Sequence, residues 1–148
     1  MKVLKWFGFL ILLLIVVYFL GPQPATPVYT TDLPVVPAEA KALENYISKN
    51  ESRHKLKPDN EARILWLHDS LKEKTEYAIV YLHGFSASQE EGDPLHYELA
   101  QKFGCNLYLS RLDAHGIDTI NPLANFTALG YWISAKEAFA IGRQLGKR

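Results

Sequence analysis

The chain has 148 residues, 48% hydrophobic and 22% charged, enough for one folded domain with an appendage. Lys+Arg and Asp+Glu both number 16, so the net charge is zero, and the basic surplus expected of a nucleic-acid binder is missing. One cysteine, Cys105, excludes an intramolecular disulfide, a Cys-based zinc site and a CxxC redox pair; it reads as a small buried hydrophobe.

Lys2 and Lys5 precede an uncharged run from Trp6 to Leu20. As a helix this run spans roughly 22 Å, and Val3 and Leu4 bring it near the ~30 Å hydrocarbon thickness of a bilayer. The residues after it, Gly21-Pro22-Gln23-Pro24-Ala25-Thr26-Pro27, contain no A-x-A cleavage pattern, which favours an uncleaved signal anchor over a removed signal peptide. No cysteine follows the run, so a lipid-modified N-terminus is excluded. The leading lysines predict a single-pass topology with a cytoplasmic N-terminus and the rest on the extracytoplasmic side. Residues 1–20 are thus the expected membrane contact. Residues 21–37, with Pro22, Pro24, Pro27, Pro34 and Pro37, read as a semi-rigid tether, and residues 38–148 as the folded domain.

Within that domain a helix is expected from near Pro37, with Ala40, Leu43, Tyr46 and Ile47 on one apolar stripe. Lys49 to His54 ends it, and Lys57-Pro58-Asp59-Asn60 is a turn signal. Two short apolar runs follow, Ile64–Leu67 and Tyr77–Leu82. The second is apolar on both faces, as expected of a strand in the middle of a sheet. Asp93-Pro94 reads as the N-cap and first position of a helix ending at Phe103, with Gly104 as its left-handed C′ residue. Asn106–Leu112 is a further strand. Ser134-Ala135-Lys136-Glu137 fits a capping box opening a last helix, with Gly146 as its C′ residue. Helix, strand, strand, helix, strand, helix implies a parallel sheet covered by helices, an α/β fold.

Such sheets carry function on loops at the carboxyl ends of their strands. Two are visible: His83-Gly84-Phe85-Ser86-Ala87-Ser88 and Arg111-Leu112-Asp113-Ala114-His115-Gly116. The first resembles the oxyanion loop of the α/β-hydrolase family, which opens with a histidine–glycine pair after the third strand. The second resembles that family's D-x-x-G-H-G loop after the fourth strand, with Ala114 where the family has glycine. The resemblance covers Ile64 to Arg148 and is closest to lipase- and esterase-like members. It implies part of an α/β-hydrolase sheet, a small-molecule ester substrate for the intact protein, and no cofactor or metal. It assigns the backbone N–H of Phe85 as one oxyanion donor, Gly84 as the residue that lets the chain turn close to substrate, and His83 as a loop-orienting hydrogen-bonder rather than a base.

The family's G-x-S-x-G nucleophile turn does not occur in this chain, and the order Ser, Asp or Glu, His places all three downstream of the last helix. The chain therefore reads as the N-terminal portion of a membrane-anchored serine hydrolase, inactive by itself. The alternative is a non-catalytic anchored module, or half of a split hydrolase completed by a partner chain. Catalysis by Ser86 or Cys105 is the third reading, disfavoured for Ser86 because no helix follows it at once. The histidines and aspartates lack H-E-x-x-H or comparable metal spacing. His68-Asp69 and His96 read as solvated or capping residues, Ser88 as a local cap, and Glu90 and Glu91 as surface charge. Trp66, Tyr131 and Trp132 read as packing residues. Ile117–Ile133, with Pro122, Phe126 and Trp132, is expected along one side of a substrate cleft.

Overall fold

The computed structural model describes residues 2–23 and 26–148; Met1, together with Pro24 and Ala25 of the expected tether, lies outside them. Helix α1 (Lys2–Leu20) contains an 18-residue window, Val3–Leu20, of mean hydropathy 2.6 that is nowhere buried. It is long and apolar enough to cross a membrane. From Thr26 the chain runs extended, and its last part packs on the domain. Val36 is buried in the core. Trp132 Nε1–H donates to Thr30 O at 2.9 Å, and Lys136 Nζ donates to Asp32 O at 2.9 Å.

Helix α2 (Ala40–Glu51) starts three residues after Pro37, because Glu39 caps it: the Glu39 carboxylate accepts from Lys41 N–H and Ala42 N–H at 2.9 and 2.7 Å. The three strands are β1 (Arg63–Leu65), β2 (Ala78–Tyr81) and β3 (Asn106–Leu109), in the spatial order β1-β3-β2. Helix α3 (Leu95–Phe103) joins β2 to β3, which are parallel, and α4 (Ala128–Leu145) follows β3. Strand side chains alternate between two faces. Ile64, Ala78, Val80 and Tyr108 meet α2 and α4, with Leu43, Ile47, Ile141 and Leu145. Leu65, Ile79, Tyr81, Leu107 and Leu109 pack on the α3 side with Ala100. The result is three layers, helix–sheet–helix.

Several expectations need correction. The sheet is mixed: β1 runs antiparallel to β3. The segment between β1 and β2 carries turns, bends and one isolated bridge at Thr75, so it supplies no helical crossover of the kind a parallel pair uses. The central, fully buried strand is β3, whereas β2 is half-buried and lies at the sheet's edge. Helix α4 begins a full two turns before the capping box: Thr127 is its N-cap, accepting from Gly130 N–H at 3.0 Å. Ser134 sits within the helix and accepts from Asp113 N–H at 3.0 Å, while Glu137 accepts from the Tyr46 hydroxyl and Asn50 Nδ2 on α2. Gly146 is extended, not left-handed, whereas Gly104 has φ +61° as expected of a C′ glycine. Pro94, not Asp93, occupies the N-cap of α3 and makes no side-chain cap. His96 is buried, its Nε2 3.0 Å from Gln89 O. Cys105 is a buried free thiol.

Candidate functional site

β2 and β3 run in the same direction, so their carboxyl ends bring the 83–88 and 111–116 loops side by side. Two histidines lace them together. His83 Nε2 accepts Leu112 N–H at 3.0 Å, crossing from the first loop to the second. His115 Nε2 accepts Ser86 N–H at 3.0 Å, crossing back. Each Nδ1 faces a main-chain carbonyl, Gly84 O at 3.0 Å for His83 and Asp113 O at 2.7 Å for His115. An N–H opposite Nε2 and a carbonyl opposite Nδ1 assign both rings as neutral, with the proton on Nδ1. The rings lie 4.9 Å apart, and each residue is 2% exposed. Burial is the main reason that the His83 imidazole titrates below its usual range.

Further residues, within the loops and outside them, hold this arrangement. Glu91, expected as surface charge, accepts Gly84 N–H on its carboxylate at 2.7 Å. Ser88 caps the helical turn that carries Glu91, accepting Glu90 N–H at 3.3 Å. Arg111 pairs in two-pronged fashion with Glu51 at the end of α2 (2.7 and 2.9 Å) and also donates to His115 O at 3.1 Å. Tyr131 of α4 donates its hydroxyl to His83 O at 3.3 Å, so it belongs to the site rather than to packing alone. Ala114 and Gly116 have φ of +61° and +69°. The second value suits glycine, and the first puts an alanine in a conformation costing about 1–2 kcal/mol.

The three expected site residues are brought together. His83 is the loop-spanning hydrogen-bonder, Gly84 is tied to Glu91, and Phe85 stands exposed at the tip with its ring against Phe126 (5.0 Å). The main-chain donors at the loop tip differ in their partners. Gly84 N–H goes to Glu91, Ser86 N–H to His115, and Ala87 N–H to Gly84 O at 3.2 Å. Among the described residues, none accepts the Phe85 N–H. The residues that follow Phe85 border an open cleft of about 400 Å³ lined by Lys57, Ser86, Ser88, His115, Pro122 and Leu123, among others. Pro122 and Phe126 thus border the site as expected, whereas Trp132 turns toward Thr30.

Ser86 is exposed and has φ +64°. His115 takes its amide, not its hydroxyl, and the partner of His115 Nδ1 is a main-chain oxygen, not a carboxylate. No base is therefore aimed at the Ser86 Oγ among the described residues, and nucleophilic catalysis requires one. The same bonds occupy all four imidazole nitrogens of His83 and His115, leaving none to a metal. Sequence reasoning missed Glu51, Glu91 and Tyr131. Glu51 and Tyr131 act on loops distant in the chain and Glu91 on one seven residues back, and a lone Glu or Tyr in a helical turn carries no local mark of that.

No family model matches the chain, and neither a curated protein nor a solved structure matches it.

Proposed function

We propose that this chain is the N-terminal portion of a membrane-anchored serine hydrolase acting on carboxylic esters, with the Phe85 N–H as one oxyanion donor. The observation that carries the reading is the uncommitted Phe85 donor at the loop tip, between the fastened amides of Gly84 and Ser86. Acyl transfer develops negative charge on the ester carbonyl oxygen, and a donor fixed in advance stabilises it without reorganisation. The nucleophile, acid and base lie outside this chain, so the chain alone is inactive. Helix α1 anchors the protein, with its N-terminus cytoplasmic and the domain on the far side of the bilayer.

A second observation supports the same reading. Ser110 N–H donates to Tyr81 O, so Tyr81 and Ile79 turn their main-chain groups toward β3. Ala78 and Val80 turn theirs outward, and there Ala78 N–H donates to Arg148 O at 3.1 Å. Gly146 pairs in parallel with Thr75. The last residues therefore begin a strand alongside β2 that, if continued, runs toward Phe85. A strand of a partner chain would meet the same edge.

The test is to read the coding DNA beyond the codon for Arg148. A frame continuing into a short apolar strand and G-x-S-x-G supports the reading. The protein so encoded should label with a fluorophosphonate, and the 148-residue chain should not. In that longer protein Phe85→Pro, which removes the N–H, should lower kcat by about 10²–10³, while Phe85→Ala, which keeps it, should stay within a few-fold. Labelling of the 148-residue chain itself, or a Phe85→Pro enzyme as active as Phe85→Ala, overturns it.

A further inference from the structure

We infer that His83 and His115 form a reciprocal acid-sensitive clasp that holds the two loops together when both rings are neutral and releases them by taking up two protons together. The inference rests on the clasp geometry alone and not on the proposed hydrolase reaction.

Each ring uses Nε2 as the acceptor of an amide from the opposite loop. Protonation puts a hydrogen on that nitrogen, so an N–H would face an N–H at 3.0 Å in either bond. The bond does not weaken gradually; its acceptor disappears. Both rings are enclosed, so a charge on either has no water to solvate it until the loops part. A second charge 4.9 Å from the first is opposed as well. Singly protonated closed states are therefore penalised, and parting the loops exposes both rings at once. That couples the two protons.

The groups around the clasp set its bias. Arg111, held by Glu51 and donating to His115 O, places a cation beside the second loop and opposes protonation. Glu91, from the turn after the first loop, favours it. Tyr131 of α4 contributes a neutral hydroxyl to His83 O and a ring 5.9 Å from His115. Phe85 and Phe126 cover His115 with apolar edges. Lys57 lies across the cleft, and Asp113 offers His115 its carbonyl. The sign follows from linkage. The His83 pKa is depressed from 6.5, so below that pH the unfolded chain binds more protons than the folded one. The contribution of His83 to the clasp is complete above pH 6.5 and is lost as pH falls through its depressed value.

The experiment is NMR on the full chain in detergent micelles between pH 8 and 5, reading imidazole ¹⁵N shifts and amide exchange at Ser86 and Leu112. At pH 8 both rings should show the Nδ1–H tautomer and both amides should be protected. On acidification the two amides should open together, with the opening constant rising about 100-fold per pH unit rather than the 10-fold of one proton. His115→Gln, whose amide oxygen accepts without titrating, should bring the slope back to 10-fold. Nε2–H tautomers at pH 8, amides that stay protected to pH 5, or opening at two separate pH values would each overturn the inference. The tautomer and exchange readings need only the unaltered chain, so they decide the matter even if the variant does not fold.

Discussion

A single methyl group at residue 114 connects sequence pattern to backbone geometry. The loop resembles a pattern with glycine at that position, and the chain there takes the left-handed conformation glycine tolerates. Alanine can be forced into it at a cost of about 1–2 kcal/mol; a β-branched side chain fits far worse. Residue 114 is also 3% exposed, so a larger side chain has nowhere to go. Ala114→Val should therefore destabilise the protein by about 3 kcal/mol, read from the urea midpoint at constant slope. The same substitution at exposed Ala124 should shift it by less than about 0.5 kcal/mol. At this scale the candidate site was partly legible. His83, Gly84 and Phe85 could be picked out because they follow one another directly after an apolar run, although the bond of His83 to Leu112 N–H on the other loop carries no local mark. Glu91 could not, because its carboxylate acts on Gly84 only once the helical turn folds back.

Among elements, the ends and junctions departed most from expectation, and the reason is physical. A capping motif states only which residues can cap; tertiary contacts decide which do. Ser134 and Glu137 have the right spacing, yet both are used for contacts across the fold, and Thr127 caps α4 instead. Gly104 was legible because a left-handed C′ position is a local demand. Strand existence was legible from apolar runs, but strand order was not, since nothing in Asn106–Leu109 marks it as central. Asn106 shows what fixes that order. Its Oδ1 accepts Leu67 N–H at 2.9 Å, and its Nδ2 donates to Glu73 O at 2.8 Å and Leu145 O at 2.9 Å. One buried amide thus fastens the β1–β2 connector and the end of α4 to the start of β3. Asn106→Leu keeps the volume but strands the Leu67 N–H and the Glu73 carbonyl, and leaves Leu145 O to Thr75 alone. It should cost about 3–5 kcal/mol and leave the Leu67 and Leu145 region the first to exchange its amides.

Over the whole molecule, the two faces of the sheet are unequally covered. Helices α2 and α4 close one face, while α3 alone stands on the other. Leu95, Leu99 and Phe103 fall at successive i, i+4 positions on α3, so they form one stripe. Leu95 is 62% and Phe103 64% exposed, and the outward edge of β2 adds main-chain groups at Val80 that point away from β3. An apolar stripe beside an open strand edge is a surface for association, and residues 22–148, with 14 Lys+Arg against 16 Asp+Glu, carry a net charge of only −2 to oppose it. Residues 22–148, freed of α1, should therefore self-associate at micromolar concentration in sedimentation velocity. Leu95→Lys with Phe103→Lys should shift the population toward monomer and change stability by less than about 1 kcal/mol, because both sites are already solvated. The two lysines also take the net charge of residues 22–148 from −2 to zero, so a control is required: Ser70→Lys with Thr119→Lys adds the same charge at exposed sites away from the stripe. If the control disperses the protein equally, net charge governs association; if only the α3 pair does, the stripe is the contact.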